Sequence, residues 1–203
     1  MFDPGLIDLV MFLRQKGISD RRVLEAFETI PRRFFVEPSL QDQAYANRPL
    51  PIACGQTLPA PLTLAMIVHF AKLGAEHKTL LIGAGSGYFA AILSKLVRRV
   101  YAAERYKTLC KSAEARFSQL EITNIVMDHR DGLKGWAGQA PYERIILAGS
   151  MTSLPKALIQ QLSADGLCLY VADGQLMKYQ DGDTHICTAL DLPPLEAGIS
   201  KGL

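Results

Sequence analysis

Apolar residues recur at helical spacing at the start of the chain, at Leu6, Leu9, Val10 and Leu13 before Gly17, and again at Val23, Leu24, Phe27 and Ile30 after Ser19. Residues three and four apart share one helix face, so two short amphipathic helices are predicted, the second with Ser19 as its N-cap. The period then breaks. Seven of the eleven prolines lie between residues 4 and 61, including Pro31, Pro38, Pro49, Pro51, Pro59 and Pro61, which predicts that 31–61 is mainly extended or looped. From Leu62 to Leu73 the chain is apolar almost all round, as a buried helix is, with Gly74 as its expected C-cap.

From residue 79 short apolar runs alternate with helical patterns. Strands are predicted at Thr79–Ile82, Val100–Ala103, Asn124–Met127, Arg144–Ala148 and Leu167–Val171, with helices after the first glycine turn, over Thr108–Leu120 and over Pro155–Leu162. The weaker run His185–Leu190 is expected to return as an edge strand beside Met177–Tyr179. This order implies an α/β fold, a doubly wound, mostly parallel sheet with helices on both faces. The chain divides at the end of the proline-rich stretch: 1–61 is an N-terminal helical and loop extension forming a substrate-side wall, and 62–203 is the cofactor domain.

The strand Thr79–Ile82 runs into Gly83-Ala84-Gly85-Ser86-Gly87-Tyr88 and then the helical Phe89-Ala90-Ala91-Ile92-Leu93. Alternating glycines between a strand and a helix tolerate positive φ and let a ligand approach the backbone, where the helix start leaves N–H donors free. The nicotinamide and flavin fingerprint sets its third glycine three residues after the second; here Gly87 follows Gly85 by two, which favours S-adenosylmethionine. Glu104 closes the next strand, where a carboxylate can hold two ribose hydroxyls. Asp131-Gly132 follows the third strand and reads either as an acceptor for an adenine amino group or as a plain Asp-Gly turn. All three positions fall at carboxyl ends of strands, where open α/β sheets bind ligands.

Composition narrows the picture without redirecting it. With 49% hydrophobic and 21% charged residues over 203 positions, the chain can bury a full core. A net charge of +2 calls for neither nucleic acid nor an anionic membrane as a partner. Cys54, Cys110, Cys168 and Cys187 are scattered without a Cys-x-x-Cys pair, no metal site is indicated, and no signal peptide or long apolar span is evident, so a reduced, cytoplasmic setting is expected. Cys54 has no histidine near it in sequence and reads as a packed thiol rather than a nucleophile.

A longer set of residues carries a family resemblance: Arg22-Val23-Leu24-Glu25-Ala26-Phe27, Ile30-Pro31-Arg32, Phe35-Val36, Ala44-Tyr45, Leu50-Pro51-Ile52, Gly55-Gln56-Thr57, Ile82 to Tyr88, Glu104-Arg105, Asp131-Gly132, Gly135-Trp136 and Ala140-Pro141-Tyr142. Over nearly its whole length the chain resembles bacterial protein-L-isoaspartate O-methyltransferases, as a divergent member. The resemblance implies a Rossmann-like methyltransferase that moves a methyl group from S-adenosylmethionine to the carboxylate of L-isoaspartyl residues in a damaged protein or peptide, leaving S-adenosylhomocysteine. The ester then closes to a succinimide that can reopen as aspartate. Gly83, Ala84, Gly85, Ser86, Gly87, Glu104, Arg105, Asp131 and Gly132 are implied on the cofactor side, Gln56 and Leu58 beside the substrate, and Thr57 at the reacting end.

The departures from the family pattern bear mainly on the acceptor. Where the family reads G-Q-T-I-S, this chain has Gly55-Gln56-Thr57-Leu58-Pro59, so Pro59 replaces the serine thought to contact the substrate carboxylate. Where the family reads V-R-F-V-P-L, Asp191 replaces an arginine expected on the substrate side. Leu81 stands for an acidic residue, Arg130 for the glycine before Asp131, and Ala148-Gly149-Ser150 for T-A-A. Methyl transfer to an ionised carboxylate needs alignment and exclusion of water more than a general base. Two further readings therefore stay open from the residues: a methyltransferase with another acceptor, and a degenerate member acting as a binding module. The acceptor and the oligomeric state are not legible in the sequence.

Overall fold

A computed structural model of the chain describes residues 4–200. Its layering is set by strand β3 (Lys78–Ile82), where Leu81 turns into one core while Leu80 and Ile82 turn into another. Strand side chains alternate faces, and this strand has apolar residues on both, as a central parallel strand does. Beside it lie β4 (Arg99–Glu104) and β5 (Ile125–His129) on one side, and β6 (Tyr142–Ser150), β7 (Leu162–Ala172), β8 (Gln175–Gln180) and β9 (Asp183–Ala189) on the other, in the order β5-β4-β3-β6-β7-β8-β9. The pairings from β5 across to β7 are parallel and the last two antiparallel. The predicted edge hairpin is in place, with Met177 opposite Ile186 and Tyr179 opposite Thr184.

Helices α1 (Pro4–Gln15), α2 (Arg21–Thr29), α3 (Pro61–Ala71), α4 (Tyr88–Ser94) and α5 (Lys107–Gln119) contribute to the larger core, which joins Leu13, Phe27 and Phe35 to Leu81, Ile92 and Phe117. The short α6 (Lys156–Ile159) and the turns at Gly132–Lys134 and Ala137–Gln139 lie against the other face, where Tyr101, Trp136 and Tyr142 pack edge to face. Between α2 and α3 the chain makes two 3-10 turns, Arg32–Phe35 and Pro38–Gln43, and a small hairpin of β1 (Leu50–Ile52) and β2 (Gln56–Leu58).

Three sequence expectations are corrected. The N-cap of α2 is Asp20 rather than Ser19, its carboxylate accepting the Arg22 N–H at 2.9 Å. Helix α3 ends one turn before Gly74, with Lys72 in the left-handed conformation (φ 47°), while the Gly74 N–H donates to His77 Nδ1. The helix predicted over Pro155–Leu162 stops at Ile159 because Leu162 is already paired with Tyr142 in the sheet. The Gln161 side chain, nearly buried, is also committed, to the Trp136 N–H and the Lys134 carbonyl.

Candidate active site

The three motif glycines all adopt positive φ, 81° at Gly83, 56° at Gly85 and 89° at Gly87. At Gly87 a side chain is excluded twice over, since a Cβ there would stand 2.8 Å from both Ala113 and Phe117 of α5. The turn is thereby drawn tight against the helix that follows β4. Ala84 and Ser86 are buried and face away from solvent, so the turn offers a ligand its backbone rather than these side chains. Arg116 ties it to the N-terminal segment, donating to the carbonyls of Ser86 at 3.2 Å and Phe34 at 3.0 Å.

Glu104 ends β4 beside this turn and is only 5% exposed. Its carboxylate accepts the Gly85 N–H at 2.8 Å and the Tyr106 N–H at 3.0 Å. A buried charge needs such partners. A carboxylate has about four lone-pair sites, so acceptor capacity remains toward the cleft that Glu104 lines.

That cleft has a volume of about 210 Å³. Ile82, Gly83, Ala103, Glu104, Arg105 and Tyr106 form its floor, Gly132 and Leu133 one side, Gly55, Gln56 and Thr57 of the β1–β2 hairpin another, and Pro193 to Glu196 the rest. Gly132 admits no side chain, because a Cβ would lie 2.5 Å from Ile82 Cγ2. Asp131 is not among the residues lining the cleft: its Oδ1 accepts the Leu133 N–H and caps the turn, and its Oδ2 lies 3.9 Å from Lys134 Nζ. Arg130 stacks over Trp136, 3.8 Å from the ring centroid, and pairs with Asp128.

The hairpin reaches the cleft through Cys54, which takes the left-handed conformation (φ 61°), and Gly55. Gln56 Nε2 donates to the Cys54 carbonyl and the Tyr106 hydroxyl, linking hairpin to floor. Thr57 is exposed on the cleft wall, whereas Leu58 turns inward and is 3% exposed, so the residue implied beside the substrate packs in the core. Pro59 is half-buried and its carbonyl accepts from Arg32 Nη2 at 2.8 Å. The Cys54 thiol pKa is raised by burial and then by the Glu104 charge, which disfavours the thiolate, in keeping with a packed thiol.

The C-terminal segment supplies the part of the wall that the sequence did not reveal. Pro193 and Leu195 bond to Ser150 through main-chain groups at 2.9 and 2.8 Å, a parallel bridge alongside the end of β6. Leu195 then lies against Gly83 and Gly149. Arg105 holds the segment from the other side, by an ion pair with Glu196 and a bond to the Gly198 carbonyl at 3.2 Å. Asp191, in contrast, is exposed and not part of the cleft lining. Sequence reasoning misses Tyr106 and Leu133; each lies two residues beyond a carboxylate at or just after a strand end, which is the signal that could find them.

Comparison with known proteins gives a consistent result. The family model of protein-L-isoaspartate(D-aspartate) O-methyltransferases (PCMT) matches residues 7–182. A protein-L-isoaspartate O-methyltransferase of Maricaulis maris is 47% identical over 84% of this chain and 80% of its own length. One from Caulobacter vibrioides is 39% identical over 95% and 91%. Among solved structures, a protein-L-isoaspartate O-methyltransferase superposes with a TM-score of 0.85 at 21% identity, covering 95% of this chain and 66% of that one. A Plasmodium falciparum candidate for the same activity, solved with S-adenosyl-L-homocysteine, gives 0.78 at 19% identity, covering 93% and 97%.

Proposed function

Because the chain belongs to the protein-L-isoaspartate O-methyltransferase family, we propose that it transfers the methyl group of S-adenosylmethionine to the free carboxylate of L-isoaspartyl residues in a protein or peptide acceptor. The observation that carries this reading is the convergence of the buried Glu104, the glycine turn and the Thr57 wall on one cleft. The residues present fit such a cofactor. Glu104 keeps acceptor capacity for a ribose diol, Gly83 and Gly85 present bare backbone, and Gly132 with Leu133 offers a flat apolar flank where a side chain on residue 132 would intrude.

When bound, S-adenosylmethionine supplies an electrophilic methyl carbon on a sulfonium, whose C–S bonding pair stays with sulfur as S-adenosylhomocysteine forms. The acceptor carboxylate, with a pKa of about 4, is already ionised at neutral pH, so no residue has to remove a proton. What the chain contributes is alignment and exclusion of water. Glu104 and the turn would hold one reactant; the Thr57 hydroxyl is a donor that can orient the other; Pro193 to Glu196 complete the cleft wall. Pro59 brings no hydroxyl, so Thr57 bears more of that orientation than in a chain with serine there.

Residues 1–61 are assigned the acceptor-side wall, supported by the position of the β1–β2 hairpin on the cleft. The degenerate-module reading loses its second support, since Asp191 faces solvent. Cytoplasmic residence belongs to the same proposal, supported by four unpaired thiols; among the described residues no helix is long and apolar enough to cross a membrane. The test is methyl transfer from labelled S-adenosylmethionine to an L-isoaspartyl peptide, with the matching L-aspartyl peptide as control. Label should appear as a base-labile ester on the first alone. A protein that binds the cofactor but labels neither peptide would refute the function.

A further inference from the structure

Arg32 is fully buried, yet among the described residues no carboxylate pairs with it. Its guanidinium instead faces main-chain oxygens: Nη1 donates to the carbonyls of Ala44 at 2.7 Å and Ala46 at 3.4 Å, Nη2 to those of Pro59 at 2.8 Å and Arg48 at 3.4 Å. The group lies 5.8 Å from the ring centroid of Tyr88, the first residue of α4 after Gly87. Tyr88 is itself fully buried against Phe27 and Phe35. One planar cation thus touches three things: the loop 44–48, the exit of the hairpin that carries Thr57, and the residue that fixes the end of the cofactor turn.

Burying an unpaired cation is costly unless its donors are satisfied; both Nη groups are, Nε is buried without a partner, and burial lowers the Arg32 pKa to about 10. A mere core filler would be cheaper as an apolar side chain. The arrangement uses the one property that an apolar residue lacks and a lysine only partly has, a rigid fork of donors that can hold two separate loops in fixed relation. At position 59 it grips the carbonyl, which proline retains, and is indifferent to the side chain. The path of the acceptor-side loop is thereby fixed even though the hydroxyl is missing.

We propose that Arg32 is the positioning residue that registers the acceptor-side loop, Thr57 to Pro59, against the cofactor turn. This rests on the methyltransferase reading above and goes beyond it by separating acceptor alignment from cofactor binding. Replacement should then disturb the acceptor half of the site alone. Arg32→Lys keeps the charge but not the fork; Arg32→Gln keeps one planar donor and not the charge.

Each variant is compared with the unmodified protein in three measurements: S-adenosylhomocysteine affinity, steady-state methylation of an L-isoaspartyl peptide, and amide hydrogen exchange. Cofactor affinity should stay within about threefold, while kcat/KM for the peptide falls at least tenfold through a higher peptide KM and a lower kcat. Exchange should rise at Thr57, Leu58 and Ala60 and stay unchanged at Gly85 to Tyr88. If cofactor affinity and peptide turnover fall in parallel, if exchange rises across the whole chain, or if neither variant folds, Arg32 is general scaffold and the proposal is overturned. An unmodified protein that fails to methylate would refute the function and not this inference, which the exchange pattern still decides.

Discussion

The Glu104 carboxylate accepts the Gly85 amide N–H at 2.8 Å, so the residue assigned to the ribose also braces the middle of the glycine turn. Glu104→Ala removes both roles, and Glu104→Gln keeps one acceptor oxygen while losing the charge. Hydrogen bonds to a charged group contribute about 1.5–3 kcal/mol each, so Glu104→Ala should weaken S-adenosylmethionine binding at least tenfold to a hundredfold, with Glu104→Gln between it and the parent. Calorimetric titration measures this directly, and unchanged affinity in Glu104→Ala would remove Glu104 from the cofactor site.

The Arg105–Glu196 pair ties the C-terminal segment to the cleft it lines, with Glu196 two-thirds exposed at 66%. Exposed pairs contribute at most about 1 kcal/mol and are screened by salt. Glu196→Gln should therefore speed release of S-adenosylhomocysteine by about two- to fivefold. Added salt should accelerate release from the parent and leave the variant almost unchanged. Stopped-flow dissociation at two ionic strengths checks both, and equal salt response in the two proteins would show that the pair does not hold the segment.

Gly149 seats the same segment from below. A Cβ there would stand 2.6 Å from Leu195 Cγ and 2.9 Å from the Pro193 carbonyl oxygen, and the second contact is backbone that cannot rotate away. Gly149→Ala is expected to displace Pro193–Leu195 and weaken cofactor binding several-fold. Adding Leu195→Ala relieves only the side-chain clash, so recovery should be partial. Full recovery would mean that the main-chain contact yields without consequence.

His77 gives a pH dependence. Its Nδ1 accepts the Gly74 N–H at 2.9 Å, and its pKa is lowered from 6.5 by burial first and then by Arg144, with Glu143 opposing. The folded protein therefore binds fewer protons at this site than the unfolded chain. The stabilisation is whole above about pH 6.5 and is lost as pH falls through the folded value. His77→Asn, which can keep an acceptor but cannot titrate, should lose less thermal stability than the parent between about pH 7.5 and about pH 5. Parallel unfolding curves in the two proteins would exclude the effect.

The sheet, the glycine turn and the strand-end place of Glu104 were legible because they rest on local signals. Strand periods, the Gly83–Gly87 spacing and the strand-end Glu104 need nothing from distant residues, and all fall where the sequence predicts. The acceptor side and the covering segment were read less well because they depend on long-range contacts. Nothing around Leu58 shows that it turns into the core, and on the cofactor side nothing around Asp131 shows that its Oδ1 accepts the Leu133 N–H. Leu195 reaches Gly83 across more than half the chain, and Arg32 finds Pro59 through an intervening loop.

Pro59 and Asp191 were paired in the sequence as two losses on the acceptor side, and the structure separates them. The Pro59 carbonyl is held by Arg32, so a serine there would follow the same path and add a hydroxyl at the end of the Thr57 wall. Asp191 is exposed, where water and salt screen its charge from a substrate in the cleft. Pro59→Ser should raise kcat/KM for an L-isoaspartyl peptide by up to about tenfold, the worth of one bond to a carboxylate set against the entropy of a freer loop. Asp191→Arg should change it less than about twofold, and the double variant should match Pro59→Ser, as additivity of independent sites requires. Cofactor affinity should not move in any of the three. A gain that appears only in Asp191→Arg, or only when both replacements are made, would place Asp191 at the substrate after all.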